Sequence, residues 1–363
     1  MRIVSSLVAL SLIVGCNRNP NTDAGHAVRH LPDEFLRGMT FAHEGYRGHN
    51  GYGGTTTGPS MDSLVRLNVN AVAIVPYTFS RNPREITELP IPDRPGSETD
   101  PAVRTCIRAA HDRGLTVLLK PQIWIRGSWP GEIDFADEAG WEQFFSAYED
   151  WILHYGKMAQ AEDVAALCIG TELVHTTLKH PDRWRKIIAA LREVYDGQLT
   201  YAANWGEEFE NLSFWADLDV MGLNSYYPLS SEKQPTDAEL QAGAHRWMQM
   251  ADSISEAHDR PLWLTEVGYR SVADAWQNPH AEAGDREESL EAQARCYTAL
   301  AGAVRESARL QGMFVWKWPS YLGHTEGRGN TRNTGFVPGG KPAASVLSGL
   351  YAYPPLAPDV TPP

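Results

Sequence analysis

Basic residues are in short supply in this 363-residue sequence, where 32 Lys and Arg stand against 45 Asp and Glu, a formal charge of −13. A surface of that sign repels phosphate backbones and anionic headgroups, so nucleic-acid and polyanion binding are excluded as first readings. Cysteine is scarcer still. Of four in all, Cys106, Cys168 and Cys296 sit singly inside apolar stretches, with no CxxC pair and no ladder of half-cystines. They read as buried free thiols, with one disulfide as the alternative. Several motifs are missing as well: no GxGxxG follows the first strand-like run, and the glycine-rich stretch 48–58 lacks the Gly-Lys-Ser/Thr ending of a phosphate loop. No HExxH or HxH pair ends a strand, so a metal hydrolase lacks its ligand cluster and neither cofactor nor metal is expected. Stretch 48–58 reads instead as a mobile loop over the mouth of the fold. What the chain has in quantity is apolar and aromatic surface, 42% hydrophobic with 12 Trp and 14 Tyr, which rules out disorder.

At the N-terminus, Arg2 precedes an apolar run from Leu7 to Val14 that ends at Gly15 before Cys16, the layout of an export signal and too short for a membrane span. Leu12-Ile13-Val14-Gly15-Cys16 resembles the bacterial lipobox, in which the signal is cut before the cysteine and the cysteine is lipidated. Residues 1–15 are thus expected to be removed, Cys16 to carry lipid, and residues 16–35 to form a polar tether. Cleavage nearby that leaves Cys16 as a thiol is the alternative. Asn17 resembles outer-membrane sorting in a Gram-negative host, so a monomer anchored on the periplasmic or surface face of that membrane is expected.

Past the tether, eight apolar or β-branched runs alternate with stretches of helical period. The runs are 38–44, 69–79, 116–124, 164–173, 199–205, 219–227, 261–269 and 312–318, and the helices 101–113, 139–160, 182–195, 236–259 and 287–309. Asp182 is placed to cap the third helix, whose apolar Trp184, Ile187, Ile188 and Leu191 recur at helical spacing. Eight strands alternating with helices predict a single (β/α)8 TIM barrel over residues 36–350, followed by a proline-rich tail at 351–363. A doubly wound sheet is the alternative fold.

In such barrels the chemistry sits where strands end. Here those ends gather polar and aromatic groups. The first run ends in His43, Glu44 and Tyr46, and the third offers Lys120, Gln122 and Trp124, which share one parity. Thr171-Glu172, Asn204-Trp205, then Asn224, Tyr226 and Tyr227, then Thr265-Glu266 close the following runs. Trp316 and Trp318 alternate at the last and are expected on one face. Glu172 and Glu266 stand out because each follows an apolar strand, where a buried charge is costly without a task. Three βα units separate them at about 31 residues per unit, the usual barrel repeat, so both belong at one mouth. Pairing with Arg or Lys at the strand ends is the bland alternative for both. Two such carboxylates suit glycoside hydrolysis, in which one is held protonated by the other's charge and the other attacks the anomeric carbon. Aromatic faces stack on sugar rings and amides bind hydroxyls. Tyr46, Lys120, Trp124, Asn204, Trp205, Asn224, Tyr226, Trp316 and Trp318 are therefore the candidate substrate-binding residues, and a neutral polysaccharide or oligosaccharide is the expected partner. Barrel packing is the alternative for Trp316 and Trp318. His43, His154 and His175 read as surface or hydrogen-bonded residues, with His43 within reach of substrate.

The stretches GYGGTTTGPSMDSLVRLNVNAVAIVPYTF, KPQIWIRGSWPGEIDF, CIGTELVHTT, RWRKIIAALREVYDGQLTYAANW, DLDVMGLNSYYPLS, WLTEVGYRS and FVWKWPS, in this order on successive strands, resemble glycoside hydrolase family 113, within the retaining clan A of TIM-barrel glycosidases. The resemblance covers residues 36–320. It implies Glu172 as acid/base, Glu266 as nucleophile, retention of anomeric configuration, Tyr226 orienting the nucleophile and Trp316 under the reacting sugar. It also implies β-1,4-mannan or its oligosaccharides as substrate. One position departs: the clan commonly places Asn before the acid/base to bind the sugar 2-hydroxyl, and here Thr171 stands there. Asn204 and Asn224 are the residues able to replace it. A clan A β-glycosidase acting on another neutral glycan such as β-glucan, and a catalytically silent glycan-binding lipoprotein, are the alternatives.

Overall fold

In the computed structural model the described residues are 34–44, 50–324 and 333–355; the lipobox with Cys16, the tether to residue 33 and Tyr46 lie outside them. The strands are β1 (Leu36–Ala42), β2 (Ala71–Ile74), β3 (Tyr77–Ser80), β4 (Thr116–Leu119), β5 (Gln122–Ile125), β6 (Ala166–Thr171), β7 (Gln198–Asn204), β8 (Val220–Ser225), β9 (Leu262–Val267) and β10 (Leu310–Pro319). All but β3 and β5 close a parallel barrel in the order β1-β2-β4-β6-β7-β8-β9-β10. The chain is a (β/α)8 barrel, as its alternating pattern predicts. Helices α1 (Thr57–Arg66), α2 (Asp100–His111), α3 (Glu138–Ala161), α4 (Val174–Lys179), α5 (Pro181–Arg192), α6 (Glu207–Asn211), α7 (Asp237–His258), α8 (Leu290–Glu306) and α9 (Pro342–Ala352) lie between and after the strands.

Two expected strands are each divided. Pro76 and Pro121 have no N–H to continue the barrel ladder, so runs 69–79 and 116–124 break there. The outer halves, β3 and β5, leave the barrel and pair with each other in parallel, Tyr77 opposite Gln122 and Phe79 opposite Trp124.

The barrel interior follows from strand alternation. Leu36, Ala71, Ala73, Leu118, Ala166, Cys168, Ala202, Val220, Trp263 and Phe314 form one inner cluster, in which four alanines leave room for the Trp263 and Phe314 rings, 6.1 Å apart. A side chain at Gly38 would collide with the Phe314 ring, and one at Gly222 with the Tyr201 carbonyl, so both positions require glycine. The outward strand residues meet the helices in a second, larger core. Much of the aromatic surplus lies in that layer, where Trp184 packs against Tyr148, Tyr201 and Phe214 at 5.1–5.9 Å.

Local corrections follow from capping and packing. Asp182 does not cap α5; His180 precedes the helix, Pro181 occupies its first turn, and Asp182 pairs with Arg185 on the surface. The described part of stretch 48–58 is no loop over the mouth. Tyr52 is buried there, its hydroxyl donating to the Phe41 carbonyl and accepting from the Val75 amide, and α1 starts at Thr57. Cys106, Cys168 and Cys296 are buried free thiols on separate elements, so the disulfide alternative is not realised.

Candidate active site

The inward column of each strand continues to the C-terminal mouth of the barrel. Two residues beyond Leu118 comes Lys120, beyond Gly222 comes Asn224, beyond Trp263 comes Thr265, and beyond Phe314 comes Trp316. Lys120, Asn224 and Thr265 have no exposed surface and form the floor.

Both carboxylates follow register shifts in their strands. The β6–β7 register shifts between Cys168 and Thr171, and Glu172 then adopts φ +52°, a left-handed conformation costing a non-glycine residue about 1–2 kcal/mol. Its amide donates to the Ala202 carbonyl at 2.9 Å. On β9 the register against β8 shifts between Leu264 and Glu266, so Glu266 turns into the mouth beside Thr265 instead of out toward the helices.

The two glutamates live in unequal surroundings. Glu266 is buried in an ion pair with Lys120; the same oxygen accepts from Gln122 Nε2 at 3.0 Å, and its other oxygen from the Tyr226 hydroxyl at 2.9 Å. Burial, together with the charges of Glu266 and Glu172, raises the Tyr226 phenol well above its ordinary value, so it stays a donor. Among the described residues no cation pairs with Glu172, though the charge of Lys120 also favours its ionised form. Glu172 accepts from Asn224 Nδ2 at 3.0 Å and Trp129 Nε1 at 2.7 Å. Although one edge of Glu172 opens on the cleft, burial raises its carboxyl and the charge of Glu266 pushes it further, against the opposing pull of the two donors.

Behind Glu172 lies a third carboxylate. Glu208 on α6 accepts from Tyr201 Oη, Thr177 Oγ1 and the Asn204 amide, each at 2.7 Å, and Tyr201 Oη accepts in turn from the Leu173 amide at 2.7 Å. It thereby ties the end of β7 to the backbone that follows Glu172. Burial pushes its carboxyl up to about 7.

The cleft measures about 630 Å³. The structure brings Trp124, Asn204, Trp205, Tyr226 and Trp316 together around both glutamates, with Thr171 beside Glu172. Three candidates do not reach it. Lys120 lies beneath, bound to Glu266, and Asn224 lies beneath with Nδ2 on Glu172 and Oδ1 accepting from Thr265 Oγ1 at 3.0 Å. Strand parity reveals which way a side chain points but not how deep it sits. Trp318 turns away and donates to Ser60 Oγ at 3.0 Å. Its expected alternation with Trp316 fails because β10 carries an extra residue between the pairs Met39–Val315 and Phe41–Trp318; the Trp316–Lys317 peptide there is cis. His43 is also withdrawn, donating from Nε2 to the Gly96 carbonyl and accepting the Tyr52 amide at Nδ1, each at 3.1 Å.

Several lining residues escaped the sequence reading. Gln122 was legible by its parity with Lys120. Trp129, Arg270, His280, Glu282 and Phe336 come from loops whose paths no local pattern specifies. Among the described residues, no three His, Cys, Asp or Glu side chains gather as metal ligands.

Comparison with known proteins places this geometry. A model described as Glycoside Hydrolase Family 113 matches residues 39–341. The GH113 β-mannanase AaManA from Alicyclobacillus acidocaldarius, solved in complex with ManMIm, is 28% identical with a TM-score of 0.75, over 88% of this chain and 97% of that one. A GH113 β-1,4-mannanase superposes with a TM-score of 0.77 at 24% identity, over 88% of this chain and 100% of that one, and shows the same fold. So does a family 5 mannosidase from Rhizomucor miehei, with a TM-score of 0.65 at 10% identity, over 88% and 92%. None of the curated proteins matches the sequence.

The two influences on Glu172 are separable. Trp129→Phe removes a donor that favours the ionised form, so carbon-13 NMR of labelled glutamate should show Glu172 titrating at higher pH. Glu266→Gln removes the neighbouring charge and should move it lower. Shifts in the same direction for both variants would contradict this balance. Glu208→Gln turns an amide NH2 toward donors and should cost about 1–3 kcal/mol in urea unfolding.

Proposed function

The chain belongs to glycoside hydrolase family 113 and is a retaining glycoside hydrolase, and from that premise we propose that it cleaves β-1,4-linked mannan by double displacement, with Glu172 as acid/base and Glu266 as nucleophile. The observation that carries the roles is the unequal environment of the two carboxylates. One is charge-paired by Lys120 with three donors upon it, and the other is unpaired and held toward its protonated form.

In the first step Glu266 attacks the anomeric carbon while Glu172 gives its proton to the departing glycosidic oxygen, leaving a glycosyl ester on Glu266. The ester is neutral, so the charge that raised Glu172 is gone and the carboxylate left by proton transfer is stabilised in its ionised form. Glu172 then takes a proton from a water that attacks the anomeric carbon. Glu266 leaves as a carboxylate, back into its pair with Lys120.

Trp316 floors the reacting sugar. Asn224 is buried beneath the cleft against Glu172 and Thr265, and Asn204 and Thr171 line it, placed to meet hydroxyls where the clan commonly has Asn. Mannan as the substrate is supported by the 28% identical β-mannanase that this chain matches over 88% of its length. The Leu-Ile-Val-Gly-Cys sequence supports export and lipid attachment at Cys16, and Asn17 after it supports sorting to the outer membrane, where we infer a monomer acting on neutral glycan.

Glu266→Gln should lower hydrolysis of soluble mannan by roughly 10⁴-fold or more. Glu172→Ala should lose about 10²- to 10⁴-fold on mannan, while keeping the first step on aryl glycosides whose leaving group needs no proton. Proton NMR of wild-type digestion should show the β-anomer first; inverted product, or undiminished hydrolysis by Glu266→Gln, would overturn the assignment. Metabolic labelling with palmitate should mark the wild type and not Cys16→Ala, and equal labelling of the two would refute the anchor.

A further inference from the structure

Large apolar side chains exposed on a soluble surface are informative when they cluster. Among the described residues those with at least a third of their surface open are Val65, Phe79, Trp124, Trp129, Tyr321, Leu322 and Tyr353. Two of them, Phe79 and Trp124, lie side by side on the wall made by β3 and β5. Their rings are 5.8 Å apart at 58°, and they are 45% and 48% exposed.

The ladder shows what they face. Strand alternation puts Tyr77 and Phe79 on one side of β3, and Gln122 and Trp124 on the same side of β5, because each pair is in register. The inner pair belongs to the cleft: Gln122 bonds Glu266, and Tyr77 lines the cavity. The outer pair stands two residues further along, about 6.6 Å at the rise of a strand, which is the scale of one pyranose ring; Trp124 there forms the rim of the cavity and Phe79 lies past it. On the opposite face Thr78, Ile123 and Ile125 are buried. The face that would be expected to carry polar residues therefore carries two half-bare rings, continuous with the cleft and one sugar beyond it. Phe79 has no polar atom to offer, so what it presents is a flat apolar surface of the kind that covers the C–H face of a sugar.

We propose that Phe79 and Trp124 form an outer sugar-binding shelf that takes the pyranose unit beyond those held in the cleft, so that the enzyme discriminates by chain length in favour of longer β-1,4-linked glycans. The proposal rests on the reading of the cleft as a β-1,4-glycan hydrolase. Phe79 is then a specificity-determining residue that touches neither Glu172 nor Glu266.

The test is kcat/KM across β-1,4-manno-oligosaccharides from three to six units, measured for the wild type, Phe79→Ala and Phe79→Tyr. Phe79→Ala should lose about tenfold on the hexasaccharide, the size of one lost ring-stacking contact, while the trisaccharide stays within about twofold. Phe79→Tyr keeps the ring and should match the wild type at every length. Equal losses at all lengths, or none, would overturn the shelf. Sedimentation of the same proteins covers the other occupant: a change of oligomeric state in Phe79→Ala without a change in length preference makes the patch a protein interface and rejects the proposal. If the wild type cleaves none of these oligosaccharides but cleaves β-1,4-gluco-oligosaccharides, the mannan reading fails and the series is run on those. Cleavage of neither rejects the functional reading and the shelf with it, whereas cleavage without length dependence in the variants rejects the shelf alone.

Discussion

Lys120 has no exposed surface, and a buried ammonium is tolerable only with its charge answered, which Glu266 does across the barrel mouth. Breaking such a buried pair from one side costs about 3–5 kcal/mol, so the pair fixes where Glu266 can be. The rest of the cleft is arranged around that fixed negative charge. Burial raises both the Tyr226 phenol and the Glu172 carboxyl, and the charge of Glu266 pushes each further toward its protonated form. Trp316 has the Lys120 ammonium 6.0 Å from its ring centre, within reach of the ring face. One ion pair thus acts on three neighbours, and on two of them its carboxylate adds to what burial already does.

Perfect alternation could not have delivered Glu266. In a regular barrel Thr265 faces inward and Glu266 outward, and the register shift on β9 turns Glu266 into the mouth. Glu172 follows a second shift, on β6, and a turn of the chain. At Glu172 the result is a left-handed residue, which needs holding. The Ala202 carbonyl takes its amide, and the Glu208–Tyr201 relay takes the next one along. Glu208 is an acceptor for three donors, one of them the Asn204 amide, and so fixes backbone positions at the end of β7.

What could be read in advance was local. Apolar runs with polar ends revealed the eight barrel strands, and the two glutamates stood out because a charge at the end of an apolar strand needs a reason. Depth could not be read: Lys120 and Asn224 share the parity of cleft residues but belong to the floor. Bulges could not be read either, and one of them separates Trp318 from Trp316. Pro76 and Pro121 were visible in the sequence, yet a run of β-branched residues looks continuous when the missing amide is overlooked. Trp129, His280 and Phe336 reach the cleft on loops whose course depends on contacts far apart in the chain.

Those two prolines also explain why the walls of the cleft differ. By ending two neighbouring barrel strands at the same height, they release two short segments side by side, whose only available ladder partners are each other. One wall is therefore a hydrogen-bonded pair in fixed register, anchored below by Ile123 and Ile125 and joined through Gln122 to Glu266. The facing wall is built from the loop after β9, where Arg270 packs on Phe336 at 4.2 Å and pairs with Glu282. Glu282 is 89% exposed, and an ion pair so open to water holds its loop by at most about 1 kcal/mol. A glycan chain lying between the two meets fixed spacing on the ladder side and adjustable contacts on the loop side.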